Sequence, residues 1–216
     1  MGSDPGGYEI TPLAKALNVF SSLYTVGTWR SVMSSVAVLP REEAEAVPSF
    51  EPAFDDVDGL LVEKKMGTKS GNLGGQVYLE LGGFSKRNRL GFVHPPDVAY
   101  QFAGLAKGRP RFADVSFVAR DRYPDNELPD GWTDFPPDLV VEVVSPHDNA
   151  NSVDIKVQEW LASGVRLVWI IYPRTRSVVV RRANGTMEYI ATSGALSGED
   201  VVPGFTLAVA DIFAAF

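Results

Sequence analysis

The sequence contains no cysteine, only two histidines (His94 and His147) and no long uninterrupted apolar run. The lack of cysteine excludes disulfides, thiolate metal sites and a cysteine nucleophile. Two imidazoles are too few to favour a zinc site built mainly on histidines. A membrane-crossing helix needs roughly 18 apolar residues, whereas the longest apolar runs here have the length of strands. Internal repeats and low-complexity segments are also absent from the sequence.

A chain of 216 residues, 45% of them apolar, is long enough to bury a sizeable core. We expect one folded domain over residues 51–216, where strand-like and helix-like segments follow one another. Residues 1–50 are less regular, and we expect an N-terminal extension or helical arm there. Asp4 and Glu9 stand where a secretory signal carries positive charge. The sequence therefore predicts a soluble cytoplasmic protein with no membrane partner.

The formal net charge is −7, which argues against a protein that binds nucleic acid. The charge is nevertheless unevenly distributed along the chain. Residues 64–111 contain nine basic side chains and two acidic ones, while acids gather at residues 42–58 and 121–138. This segregation is compatible with a basic groove, and equally with ordinary solvated faces.

A strand, a helix and a second strand are predicted in the second half of the chain. Residues 139–144 are apolar on both faces apart from Glu142, which is typical of a central strand. Residues 148–163 have the pattern of a helix that ends at Gly164. Residues 166–172 form another buried strand. This order indicates a mixed sheet covered by helices.

Three further elements are predicted on either side of this unit. Apolar residues at helical spacing over residues 73–84 predict a helix, and residues 112–119 alternate as a strand does. The Asn-Gly turn at 184–185 predicts a hairpin between residues 177–182 and 186–190. The predicted fold class is α/β (α+β), a mixed β-sheet flanked by helices with a C-terminal β-hairpin.

Glu142 is the most informative residue, because it interrupts a strand that is otherwise apolar on both faces. An ionised carboxylate there costs several kcal/mol unless a cation or strong donors compensate it. Two interpretations stay open. Glu142 is either a buried ion pair or protonated acid that holds one end of the sheet, or it is a metal ligand.

Asp114 is the natural partner of Glu142 if the strand over residues 112–119 lies beside the Glu142 strand. Two converging carboxylates repel each other unless a divalent cation lies between them. Oxygen ligands completed by water suit Mg²⁺ or Mn²⁺ rather than zinc. The alternative is a strand-end acid that pairs with Arg109 or Arg111.

Lys156 lies at one edge of the apolar stripe of the helix that follows the Glu142 strand. A lysine at that edge can lean toward the sheet and place its ammonium beside the two carboxylates. The alternative is a solvated lysine whose stem passes along Trp160.

Six segments then occur in a characteristic order: Val57–Glu63, Ala113–Val118, Pro137–Pro146, Lys156–Leu161 with Gly164 and Val165, Val168 with Trp169, and Val202–Phe205. In this order they resemble the putative restriction endonuclease family of the PD-(D/E)XK nuclease superfamily. The block Pro-Asp-Leu-x-x-Glu-Val-x-Ser-Pro, followed by a lysine on a helix, is the specific part. The resemblance runs from about residue 54 to residue 213 and covers about three quarters of the chain.

The resemblance implies a restriction-endonuclease-like domain that hydrolyses DNA phosphodiester bonds with Mg²⁺ or Mn²⁺. Asp114 matches the aspartate of the first motif and Glu142 the acid of the second, with the carbonyl of Val143 as a further ligand. Lys156 matches the helical lysine, and Glu63 matches an N-terminal acid. No small-molecule cofactor is implied. A homodimer would fit cleavage of both strands.

The chain also departs from the family pattern. Ala113 replaces a proline, and Val144 stands where the superfamily carries its lysine, so catalysis would depend on Lys156. Trp160 occupies a position at which relatives usually have tyrosine. An alternative function follows from the negative charge: an inactive or non-DNA-directed interaction module that retains the nuclease fold. A serine hydrolase is excluded because no Gly-x-Ser-x-Gly sequence occurs.

Overall fold

The computed structural model describes residues 38–39, 54–57, 60–63, 67–102, 110–146, 148 and 150–214, the first three ranges as backbone only. The chain divides into two units, Met1–Glu63 and Lys64–Phe216. Most of the predicted N-terminal extension lies outside the described residues. The predicted domain boundary near residue 50 stays a prediction.

The first unit contains a small antiparallel sheet. Its three strands, in the spatial order β1-β3-β2, are β1 (Val38–Leu39), β2 (Phe54–Val57) and β3 (Leu60–Glu63).

Within its described residues, the second unit contains a six-stranded sheet, two two-stranded sheets, two short 3₁₀-helices (Arg120–Arg122 and Pro124–Asn126) and three α-helices. The α-helices are α1 (Thr68–Asn88), α2 (Ala150–Ala162) and α3 (Val209–Ile212). The strands are β4 (Gly91–His94), β5 (Ala99–Tyr100), β6 (Arg111–Phe112), β7 (Val115–Ala119), β8 (Leu139–Val143), β9 (Leu167–Tyr172), β10 (Ser177–Arg182), β11 (Met187–Ile190), β12 (Ala195–Ser197) and β13 (Thr206–Ala208). Among the described residues, no helix combines the length and the apolar character that crossing a bilayer requires.

The six-stranded sheet is mixed, with the strand order β11-β10-β9-β8-β7-β4. Strands β8 and β9 are parallel and are joined through α2, whereas their other neighbours in the sheet pair antiparallel. A parallel pair needs a crossover of this kind, because a tight turn cannot bring the chain back to the starting edge. The predicted mixed sheet, its flanking helices and the C-terminal hairpin β10–β11 are confirmed.

Each face of the sheet is covered by one long helix. Leu73, Val77 and Leu81 of α1 belong to the core on one face, together with Val141 of β8. This stripe is the one predicted over residues 73–84, and it outweighs the five glycines of the helix. On the other face, α2 buries Val157 and Trp160 against residues that include Val140 and Val168.

The strand predicted over residues 112–119 is interrupted in the structure. Strand β6 ends at Phe112 and β7 begins at Val115, with Asp114 in a bend between them. The Asp114 N–H donates to the carbonyl of Val141 (3.1 Å), and Val141 is also the registered partner of Val115. Two residues thus oppose one, as in a β-bulge, which re-aims the side chain at the bend. The alternation of side chains along the predicted strand therefore does not determine on which face of the sheet the Asp114 side chain lies.

Candidate active site

The candidate site lies at the carboxyl end of β8, the central strand that runs parallel to β9. Glu142 and Val143 are its last two residues. Asp114 directly precedes the neighbouring strand β7, which runs in the opposite direction. The topology therefore brings both predicted acids to one end of the β7–β8 pair. The carboxyl ends of parallel strands are where ligands bind in many α/β proteins.

Glu142 is 5% exposed, and both of its carboxylate oxygens accept hydrogen bonds from α2. Lys156 Nζ lies 2.8 Å from Oε2, and Trp160 Nε1 donates to Oε1 at 2.9 Å. A buried carboxylate needs this compensation, and charge-assisted bonds supply it more effectively than neutral ones. These two donors compensate the burial of the Glu142 carboxylate.

Lys156 and Trp160 are four residues apart on α2, so they share one face of the helix. The Lys156 side chain is 12% exposed, which means that its stem is packed rather than solvated. The predicted lean of Lys156 toward Glu142 agrees with the ion pair that the structure shows. The alternative of a solvated lysine does not.

Asp114 is also 5% exposed, and its Oδ2 accepts a hydrogen bond of 2.6 Å from the N–H of Val143. That N–H belongs to the peptide bond that follows Glu142. Helix α1 passes beside this point: a Cβ placed on Gly74 would lie 3.9 Å from Cβ of Asp114, an ordinary contact distance. In the structure, Lys156 and Trp160 bond directly to Glu142. Asp114 bonds to the peptide group that follows Glu142.

The donor chemistry at this end of the sheet fits a divalent cation that prefers oxygen. Asp114 and Glu142 offer carboxylate oxygens and no soft ligand, which suits Mg²⁺ or Mn²⁺. In the part of the chain that the structure describes, no three His, Asp or Glu side chains form a metal-binding group. Mg²⁺ usually keeps several waters and uses one or two carboxylates, so two acids satisfy its requirement.

Two other predicted site residues have partial descriptions. Val143 is 6% exposed, and its N–H contacts Asp114, while the ligand role of its carbonyl stays a prediction. Glu63 is the last residue of β3 in the first unit, and its side chain lies outside the described residues. Its role therefore stays a prediction as well.

The family of the protein follows from a match over most of its length. Residues 41–210 match the model of the Uma2 family, which is described as "Putative restriction endonuclease". The chain belongs to this family. The membership predicted from the six sequence segments is thereby confirmed. No curated protein matches the chain.

The Uma2-family assignment agrees with a solved structure of the same fold. A crystal structure of a putative nuclease belonging to DUF820, from Anabaena variabilis ATCC 29413, matches this chain with a TM-score of 0.67. The two sequences are 19% identical, and the likeness covers 82% of this chain and 98% of that chain. At this identity the likeness establishes the shared fold alone.

A second buried polar group lies on the α2 side of the sheet in this Uma2-family chain. We call it the neutral cluster; its members are His94, Tyr100, Ser116, Tyr123 and Thr133. The Tyr123 hydroxyl bonds to Nε2 of His94 (3.0 Å) and to Thr133 (3.1 Å), and the Tyr100 hydroxyl bonds to Ser116 (2.6 Å). Burial lowers the pKa of His94 to about 4 and raises the pKa of both tyrosines. These groups are therefore uncharged at neutral pH.

Trp160 is the site residue that sequence reasoning missed. Its place in the stripe with Val157 predicts a core side chain, and it is indeed 1% exposed. Its indole N–H is nevertheless a hydrogen-bond donor to Glu142. One signal was present in the sequence: the indole N–H of a buried tryptophan usually finds an acceptor, and Trp160 lies one helical turn after the lysine predicted to reach Glu142.

Proposed function

We propose that this Uma2-family protein is a divalent-cation-dependent endonuclease that hydrolyses DNA phosphodiester bonds with Mg²⁺ or Mn²⁺. The observation that carries the proposal is Glu142, a buried carboxylate bonded to Lys156 and adjacent, through one peptide, to Asp114. The family description supports a nuclease, and the sheet has the fold of a putative nuclease.

Asp114 and Glu142 would hold the cation, with the carbonyl of Val143 and water as further ligands. When bound, the cation supplies Lewis-acid polarisation of a phosphate oxygen and a lower pKa for a coordinated water. The protein contributes orientation. Glu142 is held by two donors and Asp114 by the Val143 N–H, so neither carboxylate rotates freely.

The reaction is the addition of water across one phosphodiester bond. A water oxygen forms a new bond to phosphorus, and the bond from phosphorus to one ester oxygen breaks. One proton of the water ends on the released hydroxyl, so atoms and charge balance. We assign Lys156 to the offset of the negative charge that develops on the phosphate oxygens, because its ammonium already lies at the site.

The basic side chains of α1 support DNA as the substrate. Lys69 is exposed on this helix five residues before Gly74, where the helix passes beside Asp114. Lys86 and Arg87 are exposed at the far end of the helix, about 18 Å from Gly74 along its axis. They belong to the segment in which basic residues outnumber acids, within a chain of net charge −7. Local positive charge attracts phosphates even on an acidic protein. A homodimer would suit cleavage of both strands, and a cytoplasmic location would give access to DNA.

Plasmid cleavage tests the proposal. Supercoiled DNA is incubated with the wild type, Glu142→Gln and Asp114→Asn, in Mg²⁺ or in excess chelator. Glu188→Gln is the matched control, because Glu188 is an exposed acid of β11 that pairs with Arg182. We expect nicking by the wild type and the control in Mg²⁺, and none by the two site variants. Equal cleavage by Glu142→Gln would contradict the proposal.

One observation favours a second function, a module that retains the nuclease fold without turnover. Both oxygens of Glu142 already have donors from α2, so burial of the acid is satisfied by protein groups alone. A protein of this kind would bind no divalent cation at Glu142 and would cleave no nucleic acid. The comparison of metal binding with cleavage separates the two functions.

A further inference from the structure

We infer that Trp160 is a positioning residue for Glu142. Its indole N–H holds Oε1 and thereby sets the plane in which the carboxylate meets a divalent cation. This inference rests on the proposed role of Glu142 as a metal ligand. It concerns a residue that sequence patterning assigns to the core and that would act on the cation through Glu142.

Both residues that form this hydrogen bond are buried. Trp160 is 1% exposed and Glu142 is 5% exposed, and Nε1 lies 2.9 Å from Oε1. An indole N–H buried without an acceptor would lose its hydration without replacement, so the pair stabilises the tryptophan as well as the acid. Each carboxylate oxygen has two lone-pair directions. The bonds from Lys156 and Trp160, one to each oxygen, restrict rotation of the carboxylate.

The two donors from α2 differ in stiffness. Lys156 reaches Oε2 through a flexible four-carbon stem, whereas the indole of Trp160 is a rigid plane set by two torsions. Tyr100 packs edge-on against that plane, with ring centroids 6.0 Å apart and an angle of 89°. The Tyr100 hydroxyl is itself bonded to Ser116 on β7. The orientation of the indole is thus determined by the sheet as well as by α2.

The chain offers a matched control in Trp169. This residue is fully buried on the opposite face of the sheet, where its ring stacks on Phe205. Within the described ranges, its Nε1 has no hydrogen-bond partner. Tryptophan-to-phenylalanine substitutions at 160 and 169 remove the same atoms from buried sites. A bond to Glu142 is lost at position 160 alone.

The first arm of the test does not depend on metal or activity. Indole N–H signals of the wild type, Glu142→Gln and Glu188→Gln are compared by ¹H–¹⁵N NMR, with Trp160 and Trp169 assigned from their phenylalanine variants. We expect Glu142→Gln to displace the Trp160 signal and to leave that of Trp169 in place, and Glu188→Gln to move neither. An unmoved Trp160 signal would overturn the inference.

The second arm measures the binding of Mn²⁺ alone by calorimetry. Loss of a group that orients a metal ligand typically weakens affinity about 10-fold or more. We expect that loss for Trp160→Phe, partial recovery for Trp160→Tyr, whose hydroxyl restores a donor, and unchanged affinity for Trp169→Phe. Equal affinities of the two phenylalanine variants would overturn the inference.

The two arms also separate the inference from the proposed function. A wild type that binds no Mn²⁺ would defeat the metal site, and with it the positioning role for a cation. A wild type that binds Mn²⁺ while Trp160→Phe binds equally well would defeat the inference alone. If Trp160→Phe does not fold, Trp160→Tyr and the indole spectra decide the matter.

Discussion

Two of the polar groups buried among the described residues, the Glu142 site and the neutral cluster, are built in opposite ways. The Glu142 site contains a carboxylate, an ammonium and an indole N–H. The neutral cluster contains hydroxyls and one imidazole in two hydrogen-bonded groups, Tyr100 with Ser116 and Tyr123 with His94 and Thr133. Tyr100 is the member of the neutral cluster that contacts the Glu142 site, because its ring packs against Trp160 while its hydroxyl bonds to Ser116.

This difference distinguishes buried polar groups that help to build the core from buried polar groups that take part in chemistry. Neutral groups that satisfy one another carry a small desolvation penalty, and a network of them specifies how the segments around it pack. A buried ion pair is seldom the most stable choice, since apolar residues of similar volume often do as well or better. The Glu142 site therefore invites a functional explanation that the neutral cluster does not need.

The largest expected effect comes from breaking the ion pair on one side only. Lys156→Met leaves the Glu142 carboxylate buried without its ammonium partner, which we expect to lower the free energy of unfolding by about 3–5 kcal/mol. The double variant Lys156→Met/Glu142→Gln removes both charges and should recover most of that stability without recovering cleavage. Denaturant unfolding and plasmid nicking measure the two quantities. A single variant as stable as the double one would contradict this view of the pair.

The second effect is a pH dependence that belongs to the neutral cluster. Burial lowers the pKa of His94 from 6.5 to about 4, so between these values the unfolded chain binds a proton that the folded chain does not. Stability should therefore fall as pH decreases through this window, by up to about 3 kcal/mol. Unfolding of the wild type and His94→Gln at pH 7 and pH 4.5 measures it.

The control for this pH dependence is the variant itself. His94→Gln removes the titrating group, so its stability should change less than that of the wild type between the two pH values. Cleavage at neutral pH should be retained, because His94 belongs to the neutral cluster and is uncharged there. An identical pH dependence in both proteins would assign the effect to other groups.

A smaller effect is expected from one hydroxyl of the neutral cluster. Tyr123→Phe removes the shared partner of His94 and Thr133 and leaves both buried polar groups unsatisfied. We expect a loss of about 1–3 kcal/mol in thermal or denaturant unfolding, with cleavage unchanged. Reduced cleavage by a fully folded Tyr123→Phe variant would show that the neutral cluster is coupled to the Glu142 site.

The smallest effect is expected from an exposed ion pair on the same helix as Lys156. Asp154 pairs with Arg181 at 3.0 Å, but the Asp154 side chain is 60% exposed. Solvent and salt screen such a pair, so Asp154→Asn should change stability by about 1 kcal/mol or less. Set beside Lys156→Met, this variant measures how much burial adds to an ion pair on α2. If Asp154→Asn and Lys156→Met lost the same stability, burial would add nothing to an ion pair on α2.

Much of the fold could be predicted because its signals are local. The apolar strand around Glu142, the helix that ends at Gly164 (φ +106°) and the Asn-Gly hairpin each depend on a few neighbouring residues. The position of Lys156 follows from the angular spacing of a helix in the same way. Periodicity carries this information directly, and the structure agrees with it.

The rest depends on contacts between distant segments. The bend at Asp114 arises where two residues oppose Val141, and the alternation of side chains along residues 112–119 does not predict it. The five residues of the neutral cluster come from five separate stretches of chain, each of which carries an ordinary tyrosine, histidine, serine or threonine. The bond from Trp160 to Glu142 was missed because hydrophobic patterning scores an indole as apolar and disregards its N–H.

The central claim is that Glu142 is retained inside the sheet to hold a divalent cation. Calorimetric titration of Mg²⁺ and Mn²⁺ into the wild type and Glu142→Gln tests it most directly, with Glu188→Gln as the exposed-acid control. The account predicts saturable binding by the wild type and the control, and none by Glu142→Gln. Binding of equal affinity in Glu142→Gln, or no binding in the wild type, would contradict the claim and leave Glu142 as a structural ion pair.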